Sequence, residues 1–206
     1  NRKLPRQEFQ ITSFDGLELW GTYYEYAPGA PIELMFHGYR GNAQRDLPGG
    51  VQRCFACRRS ALVVDQRCGG RSEGHVISFG INEHRDCLEW VDFAVKHFGP
   101  EVKLILTGIS MGGATVLMAA GEELPEDVIG VLSDCGYSSA KEIICKVFEF
   151  VSYELNFCSN DNLNTVFAWA NNTCNTCRFD HFFINERLIF DFKTQSCDAV
   201  VYRCNV

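Results

Sequence analysis

A serine between two glycines, placed between a strand pattern and a helix pattern, is the feature that most constrains the fold. Residues Leu106–Gly113 read Leu-Thr-Gly-Ile-Ser-Met-Gly-Gly, directly after an apolar β-branched run and directly before a helix-forming segment. This setting is typical of a strained strand-to-helix turn that lifts Ser110 out of a sheet. We predict that Gly108 and Gly112 are required, because a side chain at either position would collide with its neighbours. The Ser110 hydroxyl would then lie at the carboxyl edge of the sheet, beside the first N–H groups of the next helix.

The order of apolar patterns along the chain predicts an α/β fold. Alternating segments at 9–14 and 17–26, separated by the turn signal Asp15-Gly16, predict an antiparallel pair at the start. Short apolar runs then predict strands of the kind found in a parallel sheet. These runs are 32–36, 61–65, 103–107 and 128–132. Helical patterns alternate with them, so we expect a mostly parallel sheet with flanking helices.

Two helix starts carry capping signals. Asn82 is predicted to cap a helix that ends at Gly99-Pro100. Ser139 and Glu142 have the spacing of a capping box, which predicts that another helix begins there. Both helices would therefore follow predicted strands, as an α/β fold requires.

Length and charge exclude several classes of protein. The 206 residues are enough for one domain with a sizeable core, and the 46% apolar and 22% charged residues are ordinary for a globular protein. The net charge of −7, without Lys or Arg clusters, argues against a nucleic-acid or anionic-membrane partner. No apolar run approaches the ~20 residues of a membrane span. No basic-then-apolar leader is present, so we expect a cytoplasmic protein.

The eleven cysteines are scattered through predicted helices and strands, which favours reduced thiols over a disulfide framework. Cys54 and Cys57 lie in a helical pattern and are predicted to be buried. Cys174 and Cys177 could join Cys197 and Cys204 around zinc. Their spacing does not match the usual zinc patterns, however, so we expect no metal and no cofactor.

The composition changes near residue 150. All eighteen glycines lie at or before Gly136 and all six prolines at or before Pro125, whereas the last seventy residues hold six of the eleven cysteines. A doubly wound fold uses glycine at turns and helix ends, and this segment supplies none. We therefore expect a core at 1–150 and an atypical segment at 151–206, in which short apolar pieces such as 199–202 could pair as strands.

Three motifs, taken together and in this order, resemble the α/β-hydrolase superfamily. They are Phe36–Asn42 (Phe-His-Gly-Tyr-Arg-Gly-Asn), Asp65–Gly74 (Asp-Gln-Arg-Cys-Gly-Gly-Arg-Ser-Glu-Gly) and Gly108–Gly113. The segment Ser133–Ser139 also resembles the one after the sixth strand of small bacterial serine hydrolases related to serine aminopeptidases and cinnamoyl-ester esterases. The resemblance covers about residues 8–148 and implies an α/β-hydrolase fold, with the last strands and the lid replaced by the atypical segment.

The resemblance implies roles for particular residues. Ser110 matches the nucleophile, and the backbone N–H groups of Tyr39 and Met111 match the oxyanion hole. The implied chemistry is acyl transfer to water through an acyl-enzyme, with a small ester, thioester or amide as substrate and carboxylic esters favoured.

The catalytic acid and base are less clearly marked. His181 is the only histidine after Ser110, so it alone obeys the family order of serine, acid and histidine. Asp134, at the carboxyl end of the predicted sixth strand, is the candidate acid, although it could equally be a residue that forms the turn there. His37 is expected to bond loop backbone, and Arg71 and Glu73 to tie down the loop after the fourth strand.

Three other interpretations remain open from the sequence. The chain could be an altered hydrolase-like protein that lacks a complete triad and is inactive or weakly active. It could be a peptidase of the serine-aminopeptidase type. An apolar surface left by missing strands could also be covered by a partner chain.

Overall fold

The structure is a computed structural model that describes residues 4–145 and the backbone of a last strand at 200–202. The strands are β1 (Gln7–Thr12), β2 (Glu18–Tyr24), β3 (Ile32–Phe36), β4 (Ser60–Val64), β5 (Leu104–Ile109), β6 (Val128–Asp134) and β7 (Val200–Tyr202). The helices are α1 (Ala43–Asp46), α2 (Pro48–Ala56), α3 (Glu83–Phe98) and α4 (Met111–Ala119), and a further helix begins at residue 140.

These strands form one sheet in the order β1-β2-β4-β3-β5-β6-β7. The four central strands are parallel, whereas β1 and β2 form the antiparallel pair that the alternating pattern predicts. β7 pairs antiparallel with β6, which confirms that the apolar piece at 199–202 can add a strand. The predicted fold class is therefore confirmed. The three parallel pairings of β3, β4, β5 and β6 bring the carboxyl ends of these strands to one edge of the sheet.

Helices cover both faces of the sheet, which explains why β3 and β4 are buried along their whole length. Successive side chains of a strand point to opposite faces. Leu34 and Phe36 accordingly pack with the apolar faces of α3 and α4, whereas Met35 packs with α2. Trp90 of α3 is 1% exposed and is the largest buried side chain in the layer between the sheet and α3 and α4. No helix among the described residues has the length and apolar character that a membrane span requires.

Two local predictions are wrong. Asn82 makes no side-chain capping bond at the start of α3; its own N–H donates to Ser78 Oγ instead (2.7 Å). Cys54 is buried as predicted, but Cys57 is exposed because α2 ends one residue earlier and no helical face carries Cys57 inward. The capping serine at Ser139 is confirmed, since its Oγ accepts the N–H of Glu142 (3.3 Å).

A buried ion pair fixes the loop after β4 to α3. The Arg67 side chain, 4% exposed, donates from Nε and Nη2 to the two carboxylate oxygens of Asp86, each at 2.7 Å. Arg67 also contacts Asp15 in the turn between β1 and β2 (3.0 Å). The loop is therefore held from two sides.

Asp86→Ala is expected to lower the free energy of unfolding by about 3 kcal/mol, because it leaves a buried guanidinium with one remaining partner. The matched control on the same helix is Asp92→Ala, which removes an exposed pair with Lys96 and should cost less than about 0.5 kcal/mol. Urea unfolding of both variants measures the difference. Equal losses would mean that the Arg67 pair does not anchor the loop.

Candidate active site

Ser110 forms the turn between β5 and α4, and its backbone is strained. Its φ of 55° and ψ of −114° lie in a backbone region that residues other than glycine rarely adopt. A residue held there costs on the order of 1–3 kcal/mol of stability. A Cβ at Gly108 would run into the backbone of Gly112, and a Cβ at Gly112 into the carbonyl of Phe36. The structure thus confirms why glycine is required on both sides. This strand-to-helix turn, Gly108–Gly112, is called the elbow below. It holds the half-buried serine at the carboxyl edge of the sheet.

The two residues assigned by resemblance to an oxyanion hole belong to segments that meet at Ser110. Met111 is the first residue of α4, so its N–H has no acceptor within the helix. Tyr39 follows Gly38, and an ideal Cβ built on Gly38 would be 3.5 Å from Ser110 Cβ and 4.0 Å from its Oγ. The turn after β3 therefore lies directly against the serine.

The peptide group between Gly38 and Tyr39 is held by two hydrogen bonds to its oxygen. Nδ1 of His37 donates to the Gly38 carbonyl (2.8 Å), and the Gly41 N–H donates to the same oxygen (3.1 Å). A trans peptide is planar, with its C=O and N–H pointing in opposite directions. Fixing the Gly38 oxygen therefore fixes the direction of the Tyr39 N–H.

The His37 ring is a structural group and not a base. It is 2% exposed, and its Nε2 accepts the backbone N–H of Gln66 (3.0 Å). Because that N–H needs a lone pair on Nε2, the ring is neutral with its proton on Nδ1. Burial lowers the pKa of His37. The expectation that His37 bonds loop backbone is confirmed.

The free energy of unfolding is expected to fall as the pH drops below about 6.5, the ordinary pKa of histidine. Below that pH His37 is protonated in the unfolded chain and still neutral in the folded protein. The contribution of neutral His37 to the free energy of unfolding is therefore complete above pH 6.5, and it decreases as the pH falls toward the lowered pKa of the folded state. The slope from this one group is at most about 1.4 kcal/mol per pH unit. Urea unfolding of the wild type and of His37→Asn, at several pH values, isolates it.

The comparison with His37→Asn is needed because Asp86 changes the free energy of unfolding with pH in the opposite direction to His37. Burial raises the pKa of Asp86 to about 6, so its contribution to stability falls as the pH rises through that region. Asp86 is common to both proteins and cancels in the difference. If the difference between wild type and His37→Asn does not change with pH, His37 does not stay neutral in the folded protein.

Gln66 ties the turn after β3 to the helix that follows the serine. Its side-chain amide donates to the His37 carbonyl, and its Oε1 lies 3.1 Å from the Thr115 hydroxyl of α4. Asp65, the preceding residue, accepts the N–H of Ala43 at the start of α1 (2.8 Å). The two sides of the candidate oxyanion hole are therefore connected through buried hydrogen bonds.

Arg71 and Glu73 hold the loop after β4, as predicted. The Arg71 guanidinium lies over the Trp20 ring at 3.7 Å and donates to Glu8 (2.8 Å). Glu73 accepts the Glu18 N–H (3.0 Å), and its own N–H donates to the Glu18 carbonyl. Neither residue takes part in the contacts around Ser110.

Asp134 is beside Ser110 through its backbone. Its carbonyl accepts the Ser110 N–H (2.7 Å), which joins the ends of β5 and β6. Its side chain is exposed, and Oδ1 accepts a hydrogen bond from the Cys135 thiol (3.3 Å). This hydrogen bond and the charge of the carboxylate raise the pKa of Cys135. The structure thus places the candidate acid at the edge of the sheet that carries Ser110.

The candidate base, His181, lies outside the described residues. Among the described histidines, His37 is engaged as above, His84 lies against Gly80 (3.0 Å), and His97 packs on aromatic rings. His75 is exposed. The described part of the chain therefore contains the candidate nucleophile, the candidate oxyanion hole and the candidate acid.

An apolar cluster lines the side of α4 next to the elbow. Its buried members are Met111, Ala114, Met118 and Tyr137, and Ile77, Phe79 and Ile143 pack against them. The Tyr137 hydroxyl is buried without a hydrogen-bond partner among the described residues, and burial raises its pKa. The Tyr39 ring, 46% exposed, stacks on Phe79.

No group of three or more His, Cys, Asp or Glu side chains within the described residues is arranged to hold a metal ion. The cysteines considered for zinc, Cys174, Cys177, Cys197 and Cys204, lie outside those residues. Six cysteines between residues 4 and 145 are free thiols. Desolvation by burial raises the pKa of Cys54 to about 12, so this thiol is chemically inert.

The sequence does not indicate how the site residues are held. Glu83, the first residue of α3, accepts the N–H groups of Ser78 and Gly80 in the preceding loop. Nothing in the sequence pattern around Gln66 or Glu83 indicates such a bond with loop backbone, because these bonds depend on which loops meet in space. The only available signal is chemical: a Gln directly after a buried strand and a Glu at the first position of a helix are both polar groups that burial would force to find partners.

No family model matches the sequence. The fold is similar to that of the esterase Pf2001 from Pyrococcus furiosus, with a TM-score of 0.65 at 15% identity over 81% of this chain and 64% of that one. It is similar to the α/β hydrolase GrgF from Penicillium sp. sh18, with a TM-score of 0.56 at 21% identity over 73% and 53%.

A third similar structure is that of DcsB in complex with its substrate analogue, with a TM-score of 0.56 at 20% identity over 75% of this chain and 56% of that one. The chain spans less than two thirds of the length of each of these three proteins. At such low identities the likeness concerns the fold. The chain has the α/β-hydrolase fold.

Proposed function

We propose that this chain is a serine hydrolase that cleaves a small carboxylic ester through an acyl-enzyme on Ser110. The observation that carries the proposal is the strained serine at the strand-to-helix turn, against which the turn that contains Gly38 lies. Strain of this kind persists where the surrounding structure over-determines it, and it concentrates at functional sites.

In the proposed reaction the Ser110 oxygen attacks the ester carbonyl carbon and loses its proton to the base. The negative charge that develops on the carbonyl oxygen is stabilised by the N–H groups of Tyr39 and Met111. The C–O bond to the alcohol then breaks, and the base returns the proton to the leaving alcohol. Water repeats the sequence on the acyl-enzyme, which releases the acid and restores the serine.

His181 is proposed as the base and Asp134 as the acid that orients it. Within the described residues the Asp134 carboxylate is bonded only to the Cys135 thiol through Oδ1, so Oδ2 is available for an imidazole N–H. A peptide amide would be cleaved by the same steps. The choice between ester and amide therefore depends on the leaving group that the site accepts.

The test is steady-state hydrolysis of p-nitrophenyl acetate and of alanine p-nitroanilide at neutral pH. We expect the ester to be cleaved much faster than the anilide. His181→Ala should lower kcat for the ester by at least about a thousandfold, whereas the exposed His75→Ala should leave it unchanged. Asp134→Asn should lower kcat with little effect on KM, because an orienting acid acts in the transition state.

Each other outcome has a definite meaning. A wild-type rate in His181→Ala would remove His181 from the proposed triad. Faster cleavage of the anilide would favour the aminopeptidase interpretation. Absence of hydrolysis of both substrates by the wild type would contradict the proposal and favour a hydrolase-like protein without a complete triad.

A further inference from the structure

One buried carboxylate near the site has no place in the proposed reaction. Glu83, the first residue of α3, is 1% exposed. It accepts hydrogen bonds from the Ser78 N–H (2.8 Å), the Ser78 hydroxyl (2.6 Å) and the Gly80 N–H (2.8 Å). The positive end of the α3 dipole also favours a carboxylate at this position. Glu83 therefore forms hydrogen bonds with Ser78 and Gly80, the residues directly before and after Phe79.

Phe79 has a backbone conformation that aromatic residues rarely adopt. Its φ is 54°, in the left-handed region, and the φ of the next residue, Gly80, is 99°. A residue is held in such a conformation only when its surroundings over-determine it. Here the carboxylate of Glu83 binds the chain directly before and directly after Phe79, so it fixes the direction in which the ring leaves the loop.

The Phe79 ring is directed at the residues assigned to the oxyanion hole. It stacks on the Tyr39 ring with centroids 5.2 Å apart and an angle of 18° between planes, and it packs against the cluster that contains Met111. The Tyr39 side chain is 46% exposed, and the next residue, Arg40, is itself left-handed with a φ of 53°. The Phe79 ring thus packs against an exposed side chain in a turn of unusual backbone conformation.

We propose that Phe79 is a positioning residue for the oxyanion hole. The Glu83 carboxylate sets the backbone of Phe79, the Phe79 ring holds Tyr39, and Tyr39 thereby keeps its N–H in place beside that of Met111. His37 orients the Gly38–Tyr39 peptide from its oxygen side, and Phe79 acts on the side chain, so the two contacts are complementary. The link to catalysis rests on the proposed function, whereas the ordering of Tyr39 does not.

The test compares Phe79→Ala and the conservative Phe79→Tyr with a matched control elsewhere in the fold. The control is Phe55→Ala, because Phe55 contacts another exposed tyrosine, Tyr26, at a centroid distance of 5.8 Å. Two readouts are used: the ¹⁵N order parameter of the Tyr39 amide, and kcat and KM for p-nitrophenyl acetate.

We expect the Tyr39 order parameter to fall measurably below the value of about 0.85 of a rigid backbone in Phe79→Ala. The fall should be partial, because the hydrogen bonds of His37 and Gly41 to the Gly38 oxygen remain. We expect no change in Phe79→Tyr and Phe55→Ala. We expect kcat to fall about tenfold in Phe79→Ala with KM unchanged, a part of the loss that removal of an oxyanion-hole donor causes. Phe79→Tyr should restore kcat. Glu83→Gln should lower kcat and the Tyr39 order parameter as Phe79→Ala does. The reason is that the amide NH₂ group of glutamine would face N–H and O–H donors whose hydrogen bonds the carboxylate now accepts.

Two results would overturn the inference. An unchanged Tyr39 order parameter in Phe79→Ala would show that the ring does not hold Tyr39. A rise in KM with unchanged kcat would make Phe79 a substrate-contacting side chain instead. If the wild type does not hydrolyse the ester while the order parameter falls as expected, the proposed function fails and the ordering of Tyr39 by Phe79 stands.

Discussion

Ser110→Ala is expected to lower kcat for p-nitrophenyl acetate by about a millionfold, the size of loss that follows removal of a serine nucleophile. The reason is that no acyl-enzyme can form without the hydroxyl, and the oxyanion hole alone retains little of the acceleration. The loss should appear in kcat, while KM changes little. Purified wild type and variant, assayed side by side at neutral pH, measure it.

A second substitution at the same position separates function from strain. Ser110→Gly removes the hydroxyl and also the Cβ that makes a φ of 55° and a ψ of −114° unfavourable. We expect Ser110→Gly to be as inactive as Ser110→Ala but more stable than that variant by about 1 kcal/mol in urea unfolding. A Ser110→Gly protein less stable than Ser110→Ala would show that the elbow is not strained.

Gly112→Ala is expected to lower the free energy of unfolding by at least about 4 kcal/mol, which is much of the stability of a typical domain. The added Cβ would collide with the backbone of Phe36 and would lie 2.7 Å from the His37 carbonyl. None of these atoms belongs to a side chain that could rotate away. The collision would push the elbow away from β3, so the part of the protein that remains folded should also lose activity.

The matched control is Gly49→Ala in α2. An added Cβ there meets nothing within 4 Å, and alanine is favoured over glycine in a helix by about 0.5–1 kcal/mol. We therefore expect Gly49→Ala to be slightly more stable than the wild type and fully active. Thermal unfolding and the ester assay on both variants give the comparison. A Gly112→Ala protein of wild-type stability would show that the elbow does not require glycine.

The fold could be predicted because its signals are local. The apolar runs of β3 and β4 are buried on both faces, and the turn at Asp15-Gly16 joins two alternating segments, so periodicity alone indicates these elements. The requirement for glycine at Gly108 and Gly112 could be predicted too, because the geometry of a tight turn is a property of neighbouring residues. Several strand ends moved by one or two residues, as at β1, because hydrogen bonds across the sheet decide them.

The support of the site could not be predicted, because it depends on contacts between distant segments. Gln66 bonds His37 across 29 positions of sequence, and Asp65 bonds Ala43 across 22. The cap of α3 shows the same limit. Asn82 has the residue type of a cap, yet the Ser78 hydroxyl accepts the N–H of Asn82, and the Gly80 carbonyl accepts the N–H of His84. The residue type indicates which hydrogen bonds a side chain can form, and the tertiary structure determines which of them it does form.

Labelling with a fluorophosphonate probe at neutral pH is the decisive measurement for Ser110, because the probe reacts with a serine that is activated by a base and an oxyanion hole. We expect one adduct per chain, located on Ser110 by mass spectrometry of the proteolysed protein and absent from Ser110→Ala. An unlabelled wild-type protein, or an adduct that persists in Ser110→Ala, would show that Ser110 is not an activated nucleophile.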